Sequence, residues 1–170
     1  MHRSIRSIAA ASALLALGPS AASASTEAAT WAQARHAAGF ALVRPTTTAG
    51  LARNGAIVIE PCFVTDFEDR RQVTATYGTF DGKLVGLYQT NAPMPCGDAG
   101  EQTFLRNVRV RGRRAAVYAD CGFDGMPACS DPDLTYHIKW RAAHGYREVT
   151  AGGGISLRKA VRVARTLTKV

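Results

Sequence analysis

Two runs of alternating, β-forming residues, Gln72–Phe80 (QVTATYGTF) and Lys83–Thr90 (KLVGLYQT), meet at Asp81-Gly82, and no other feature limits the fold of this chain so sharply. Asp-Gly between two such runs is a strong hairpin signal, because both residues accept the positive φ of a two-residue turn whose twist suits the flanking strands. Two-residue closure sets a register: Phe80 opposite Lys83, Tyr77 opposite Gly86 and Ala75 opposite Tyr88, an aromatic over a small residue twice on one face. A second hairpin is expected from Asn107–Val110 and Ala115–Ala119 about Arg-Gly-Arg-Arg at 111–114, turning at Gly112. Leu134–Trp140 alternates, with Leu134, Tyr136, Ile138 and Trp140 on one side and Thr135, His137 and Lys139 on the other; Tyr146–Thr150 is its partner. Ala56–Pro61 reads as a short strand ending at Cys62.

Helices are expected only at the two ends of the folded part. Glu27–Ala38 (EAATWAQARHAA) carries helix formers, an acid in its first turn, and Trp31, Ala34 and Ala38 on one stripe, with Gly39 just past its end. The last begins at Ser156 as N-cap, and Leu157, Ala160, Val161, Ala164 and Leu167 form a stripe flanked by Arg158, Lys159, Arg162, Arg165 and Lys169. Strands in runs between terminal helices predict an α+β domain: an antiparallel β-meander sheet of about seven strands with an N-terminal and a C-terminal helix packed on it.

Residues 1–24 read as an address. Arg3 and Arg6 make a basic head, Ile8–Gly18 a short apolar run and Ala22-Ser23-Ala24 a small-residue cleavage signal, so a secretory peptide at 1–24 and a single secreted domain at 25–170 are expected. The run is too short for a bilayer core, which needs roughly 20 apolar residues in a helix. Its loss removes two arginines and no acid, lowering the formal charge from +8 to +6. A basic protein outside the cell favours anionic neighbours such as wall polymers, lipid head groups or released nucleic acid, and an anionic envelope polymer or another envelope protein is the expected partner. All four cysteines, Cys62, Cys96, Cys121 and Cys129, lie in the exported part, and an even number outside the cytoplasm predicts two disulfides. A zinc site lacks its Cys-x2–4-Cys spacing. In an up-and-down meander all four thiols gather at one end of the sheet, where each of three pairings is possible; proximity in sequence favours Cys121–Cys129, leaving Cys62–Cys96.

The succession AGFALVRP, ATYG and LVGLYQT, VRVRGRRAAVY, LTYHIKW and HGYREV, and a closing SLRKAVRVARTL resembles the extracytoplasmic domain of bacterial anti-sigma factors and of small secreted or lipid-anchored envelope proteins. The resemblance implies a sensory or binding module and offers no catalytic residue to transfer. The chain departs from the anti-sigma pattern in having no cytoplasmic sigma-binding segment and no transmembrane helix.

Residues able to carry chemistry are few. The exported part holds only Ser25, Ser130 and Ser156; Ser130, with His137 as base, is the one candidate nucleophile, and a solvated loop serine is the plainer reading. Asp66, Glu68 and Asp69 could supply paired carboxylates to a hydrolase, but lie beside Arg70 and Arg71 as solvated loop residues do. Asp120, Asp124, Asp131 and Asp133 gather in one glycine-containing loop, yet lack the spacing of a calcium loop. His36, His137 and His144 are scattered. No catalytic residue, metal ligand or cofactor is assigned. The densest basic run, Arg106, Arg109, Arg111, Arg113 and Arg114, is the candidate anion site, with Arg109 and Arg111 pointing together away from Val108 and Val110. The plainer alternative is the wet side of a half-buried hairpin. Aromatics fall on core-facing parity, Trp31 and Trp140 among them, which argues against nucleic acid. The functional expectation is a non-catalytic, envelope-associated binding or sensory domain, with a secreted hydrolase and a basic adhesion module for anionic polymers as alternatives.

Overall fold

A computed structural model describes residues 24–170 apart from 65, 66, 68, 98, 99 and 132. The expected secretory peptide therefore lies outside the described residues, save for Ala24, as do Asp66 and Glu68. In chain order the elements are β1 (Thr26–Ala28), α1 (Trp31–Ala38), β2 (Val43–Pro45), β3 (Arg53–Pro61), β4 (Arg71–Gly78), β5 (Leu84–Thr90), β6 (Thr103–Val110), β7 (Arg113–Ala119), β8 (Tyr136–Ala142), β9 (Gly145–Gly152), α2 (Leu157–Arg165) and β10 (Leu167–Lys169). Eight strands form one antiparallel sheet, ordered β1-β3-β4-β5-β9-β8-β7-β6, and β10 pairs with β2 in a small second ladder.

Both helices pack on one face. α1 covers β1, β3 and β4, and α2 covers β6, β8 and β9. Between helices and sheet lies the core, with Ile57, Ile59, Val73, Leu87, Val117, Ile138 and Val149 removed from water together with Ala34, Ala160 and Ala164 of the helices. Alanines on the helix stripes let the backbone approach the sheet closely. The basic residues Arg158, Lys159, Arg162 and Arg165 of α2 stay exposed, as its amphipathic pattern requires.

The first helix is shorter than its composition suggests. Thr30 is the N-cap: its hydroxyl accepts from the Gln33 N–H at 3.2 Å while Gln33 Oε1 accepts from the Thr30 N–H at 3.1 Å, a reciprocal capping box. Residues 26–28 instead extend the sheet, pairing Thr26 with Ile59 and Ala28 with Ile57 and burying Ala28. Gly39 closes α1 at φ 72°, as expected. Leu167, read as the end of the final stripe, has already left α2 and opens β10, where it remains buried. Ser156 precedes α2 in extended conformation, but its side chain makes no capping bond.

Two strand expectations change. The hairpin at Asp81-Gly82 closes through five residues, 79–83, and pairs Gly78 with Leu84, Tyr77 with Val85 and Ala75 with Leu87, one residue away from the two-residue register. A one-residue slip exchanges the faces of a strand. The observed register buries Val85 and Leu87 with Ala75 and Tyr77, whereas the two-residue turn would have put those aliphatic residues on the opposite face. Gly78 permits it at φ 83°, where a β-carbon would collide with the Lys83 carbonyl.

The sheet order also departs from a simple meander, because β5 neighbours β9 and β6 lies at the far edge. The connection 91–102 contains Pro93 and Pro95 and is tied down at Cys96, which disfavours a tight turn from β5 into β6. It starts at the Thr90–Tyr146 end of the sheet and reaches Thr103 beside Ala119, at the opposite end. The disulfides are Cys62–Cys96 and Cys121–Cys129, the expected pairs, with Cα separations of 4.8 and 5.0 Å. The four thiols do not share one end, however. Cys62 and Cys96 flank the Thr90 end, while Cys121 follows Ala119 at the other. No helix among the described residues is long and apolar enough to cross a membrane.

Candidate functional site

The sheet face away from the helices is where side chains with chemistry collect. Alternation sends Arg109 and Asn107 of β6, Arg114, Ala116 and Tyr118 of β7, His137, Lys139 and Arg141 of β8, and Tyr146, Glu148 and Thr150 of β9 to this side. Beyond them Tyr88 of β5 meets Tyr146 edge to face, centroids 6.2 Å apart. The described parts of the connection, 91–97 and 100–102, are held against this face: Arg141 Nε donates to the Pro93 carbonyl at 3.1 Å, Lys139 Nζ donates to Gln102 Oε1, and the Cys96 N–H donates to the Tyr88 hydroxyl at 2.7 Å. What remains open is a trench of about 600 Å³ lined by Arg114, Tyr118, Lys139, Arg141 and Tyr146.

Arg114 stands directly across the ladder from Arg109. Like charges so placed repel each other, and among the described residues neither guanidinium has an acidic partner. Arg141 likewise has no carboxylate within ion-pair distance among them, and Lys139 reaches Glu148 Oε2 only at 4.0 Å while lying 5.2 Å from the centre of the Tyr118 ring. The trench is therefore a cationic surface with tyrosine walls.

His137 sits beside it and is fully engaged. Its Nδ1 lies 2.7 Å from Glu148 Oε1 and its Nε2 3.0 Å from Asp120 Oδ1, with the imidazole largely buried. Burial alone would lower its pKa, but the hydrogen bonds and charges of Glu148 and Asp120 outweigh burial and raise it above the ordinary histidine value. With a carboxylate held against each ring nitrogen, neither nitrogen is turned to Ser130 as a base. Burial, and then the Glu148 charge, drives the Tyr146 hydroxyl far above its usual range; burial also raises Tyr88, so both phenols remain neutral donors.

The basic run singled out in the sequence is split by the hairpin. Arg111 is the first residue of a two-residue turn, at φ 51°, followed by Gly112 at φ 79°, so it does not continue the strand parity of Arg109. Arg109 and Arg114 face the trench side; Arg111 and Arg113 border a separate cavity on the helix side. Arg106 follows a bulge beside Phe104 and pairs with Val117, which takes it out of the trench row. Lys139 and Arg141 complete the site and were missed as ligands. The available signal was the polar parity of LTYHIKW, continued into Arg141.

Aromatic parity also differs from expectation. Phe104, Tyr118, Tyr88 and Tyr146 lie on the trench face, because the register and the β6 bulge place them there; Trp140 and Tyr77 are buried on the core side. Asp131 serves a turn, its Oδ1 accepting from the Asp133 N–H at 2.8 Å, and Asp69 pairs with Arg70 at the surface. Asp120, the loop's other described acid near the sheet, is committed to His137. His36 and His144 are exposed and apart from the trench. Among the described residues no three His, Cys, Asp or Glu side chains are grouped to hold a metal ion. Comparison of the chain with protein-family models, curated proteins and solved structures finds no match, so its functional reading rests on this geometry.

Proposed function

We propose that the chain is an exported binding domain that takes an anionic ligand on the open face of its sheet and performs no chemistry on it. One observation carries the reading: Arg109 and Arg114 face each other across the β6–β7 ladder with Arg141 beside them, and none has an acidic partner among the described residues. Such a row is unfavourable by itself and is relieved by an anion that spans it, with guanidinium forks suited to carboxylate or phosphate. Tyr118 and Tyr146 supply a flat aromatic wall. The positive formal charge draws polyanions to the whole molecule, and the two disulfides suit an extracytoplasmic site of action. The sequence resemblance to extracytoplasmic sensory domains likewise implies a binding module, and the basic surface favours an anionic envelope polymer as its partner.

The test separates the trench from bulk charge. Binding of polyphosphate to residues 25–170 should weaken steeply as ionic strength passes about 0.1 M, where screening acts over about 10 Å. Arg109→Gln with Arg114→Gln should reduce affinity by at least about tenfold, the loss of one or two charge-assisted hydrogen bonds. Arg158→Gln with Arg162→Gln removes the same charge from exposed positions on α2 and should cost far less. Equal losses from the two pairs would mean that only net charge acts.

A further inference from the structure

On the helix side a second cavity, of about 290 Å³, opens between segment 41–43, the β6–β7 turn, the end of β8 and β10. Its interior is apolar: Leu42, Trp140 and Leu167 line it and are each at least nine-tenths buried. Its mouth is cationic, with Arg111, Arg113 and Lys169 all exposed around it, and none of the lining residues is acidic.

A buried charge adds an independent reason to expect an anion. Arg147 also lines this cavity and is only 5 % exposed. Its guanidinium donates to the carbonyls of Thr90 at 3.2 Å, Tyr146 at 2.9 Å and Ala41 at 2.9 Å, and lies 5.9 Å from the centre of the Phe40 ring. These are dipoles and a ring face; no carboxylate neutralises it among the described residues. Burial lowers its pKa to about 10, so it remains cationic at neutral pH. A cation held in apolar surroundings without a counter-ion favours a negative group arriving nearby.

We infer that this cavity is a second binding site, distinct from the trench, for a small single-headed amphiphile: a carboxylate on a short apolar chain. The apolar interior takes the chain, and the carboxylate lies at the mouth between Arg111 and Arg113, within the field of Arg147. The volume is at the small end of ligand sites, about 300–1,000 Å³, which excludes two acyl chains.

Trp140 lines this cavity and also borders the trench, and Trp31 is the chain's other tryptophan, so the Trp31→Phe variant reports ligand at either site by fluorescence and the arginine pairs 111/113 and 109/114 tell the two apart. Titration with octanoate should give a saturable change, and calorimetry on the unaltered protein should give the same affinity. From hexanoate to octanoate the affinity should rise about fourfold per methylene. Octan-1-ol, with the same chain and no charge, should bind at least about tenfold more weakly. Arg111→Asn with Arg113→Gln should weaken octanoate by about tenfold or more; asparagine tolerates the positive φ at 111, so the turn is kept. Arg109→Gln with Arg114→Gln should leave octanoate binding unchanged even if the trench reading fails. Equal binding of octanol and octanoate, a linear unsaturable response, or indifference to the 111/113 pair would overturn the inference. So would a Trp140 response to phosphatidylglycerol vesicles with none to octanoate, which would indicate a membrane surface instead.

Discussion

Three polar residues do structural work that apolar ones could not. Gln89 is fully buried, and its amide accepts from the Val43 N–H and donates to the Val43 carbonyl, both at 2.8 Å, standing in for a neighbouring strand. Arg147 extends the same anchorage to Ala41. Gln89→Leu keeps a similar volume but strands both backbone groups of Val43, and should cost about 2–4 kcal/mol in denaturant unfolding. His137 ties Asp120, just past β7, to Glu148 on β9. Because its folded pKa lies above the unfolded value of about 6.5, the native state binds the extra proton; the stabilisation is full below about pH 6.5 and is lost as pH rises through the folded value. Thermal midpoints measured from pH 5.5 to 8.5 should therefore contain a falling component that His137→Gln abolishes. A His137→Gln protein with an unchanged pH profile would mean that the imidazole is neutral in this site.

At the scale of elements, the two disulfides differ in what they hold. Cys62–Cys96 spans 34 residues and is buried with Ala92, packed beside Tyr88, so it fixes the start of connection 91–102 against the sheet. Cys121–Cys129 spans 8 residues and closes a local loop. Loop entropy assigns about 4 kcal/mol to the longer bridge and about 2.5 kcal/mol to the shorter. Replacing Cys62 and Cys96 by alanine should accordingly lower the unfolding midpoint more than replacing Cys121 and Cys129, and only the first pair should also weaken polyanion binding, since it anchors the segment that walls the trench. The hairpins show what turn chemistry can and cannot do. Arg111-Gly112 forms the two-residue turn that its positive φ values allow, with Val110 opposite Arg113. Asp81-Gly82 carries the stronger signal but sits within a longer loop, because Gly78 can also turn left-handed and the longer loop is the one that buries Val85 and Leu87.

For the whole molecule, the decisive event is that the chain between β5 and β6 joins opposite ends of the sheet instead of closing a hairpin. It moves β6 to the far edge, brings β9 to the centre against β5, and leaves the disulfides at opposite ends. The same connection makes the trench, since Gln102 and Pro93 meet Lys139 and Arg141 across it. The helices then seal the other face, and segment 41–43 with β10 closes the smaller cavity there. One sheet thus offers two cationic sites on opposite faces, supplied by alternate residues of the same β6–β7 hairpin.

What the sequence determined alone was local. Alternation marked the cores of β4 to β9, a 3.6-residue stripe marked α2, Gly39 marked the end of α1, and proximity in the chain selected Cys121–Cys129. These are properties of a residue and its near neighbours, set by backbone sterics and by which side of an element is apolar. Thr30-x-x-Gln33 is equally legible as a capping box and sets the helix start, whereas Glu27 lies in the strand before it. The tertiary structure decided the rest: the pairing of β5 with β9, the register at Asp81-Gly82, the strand at 26–28 and the β2–β10 ladder. All but the hairpin register are contacts between segments distant in the chain, and that register too was chosen by which arrangement buries Val85 and Leu87 against the rest of the core. The meeting of Arg109 with Arg114 is local to the β6–β7 hairpin, and only the arrival of Arg141 beside them belongs to that second class. Strand parity places each side chain on a face and the two-residue turn sets Arg109 opposite Arg114, but only the pairing of β7 with β8 brings Arg141 to them.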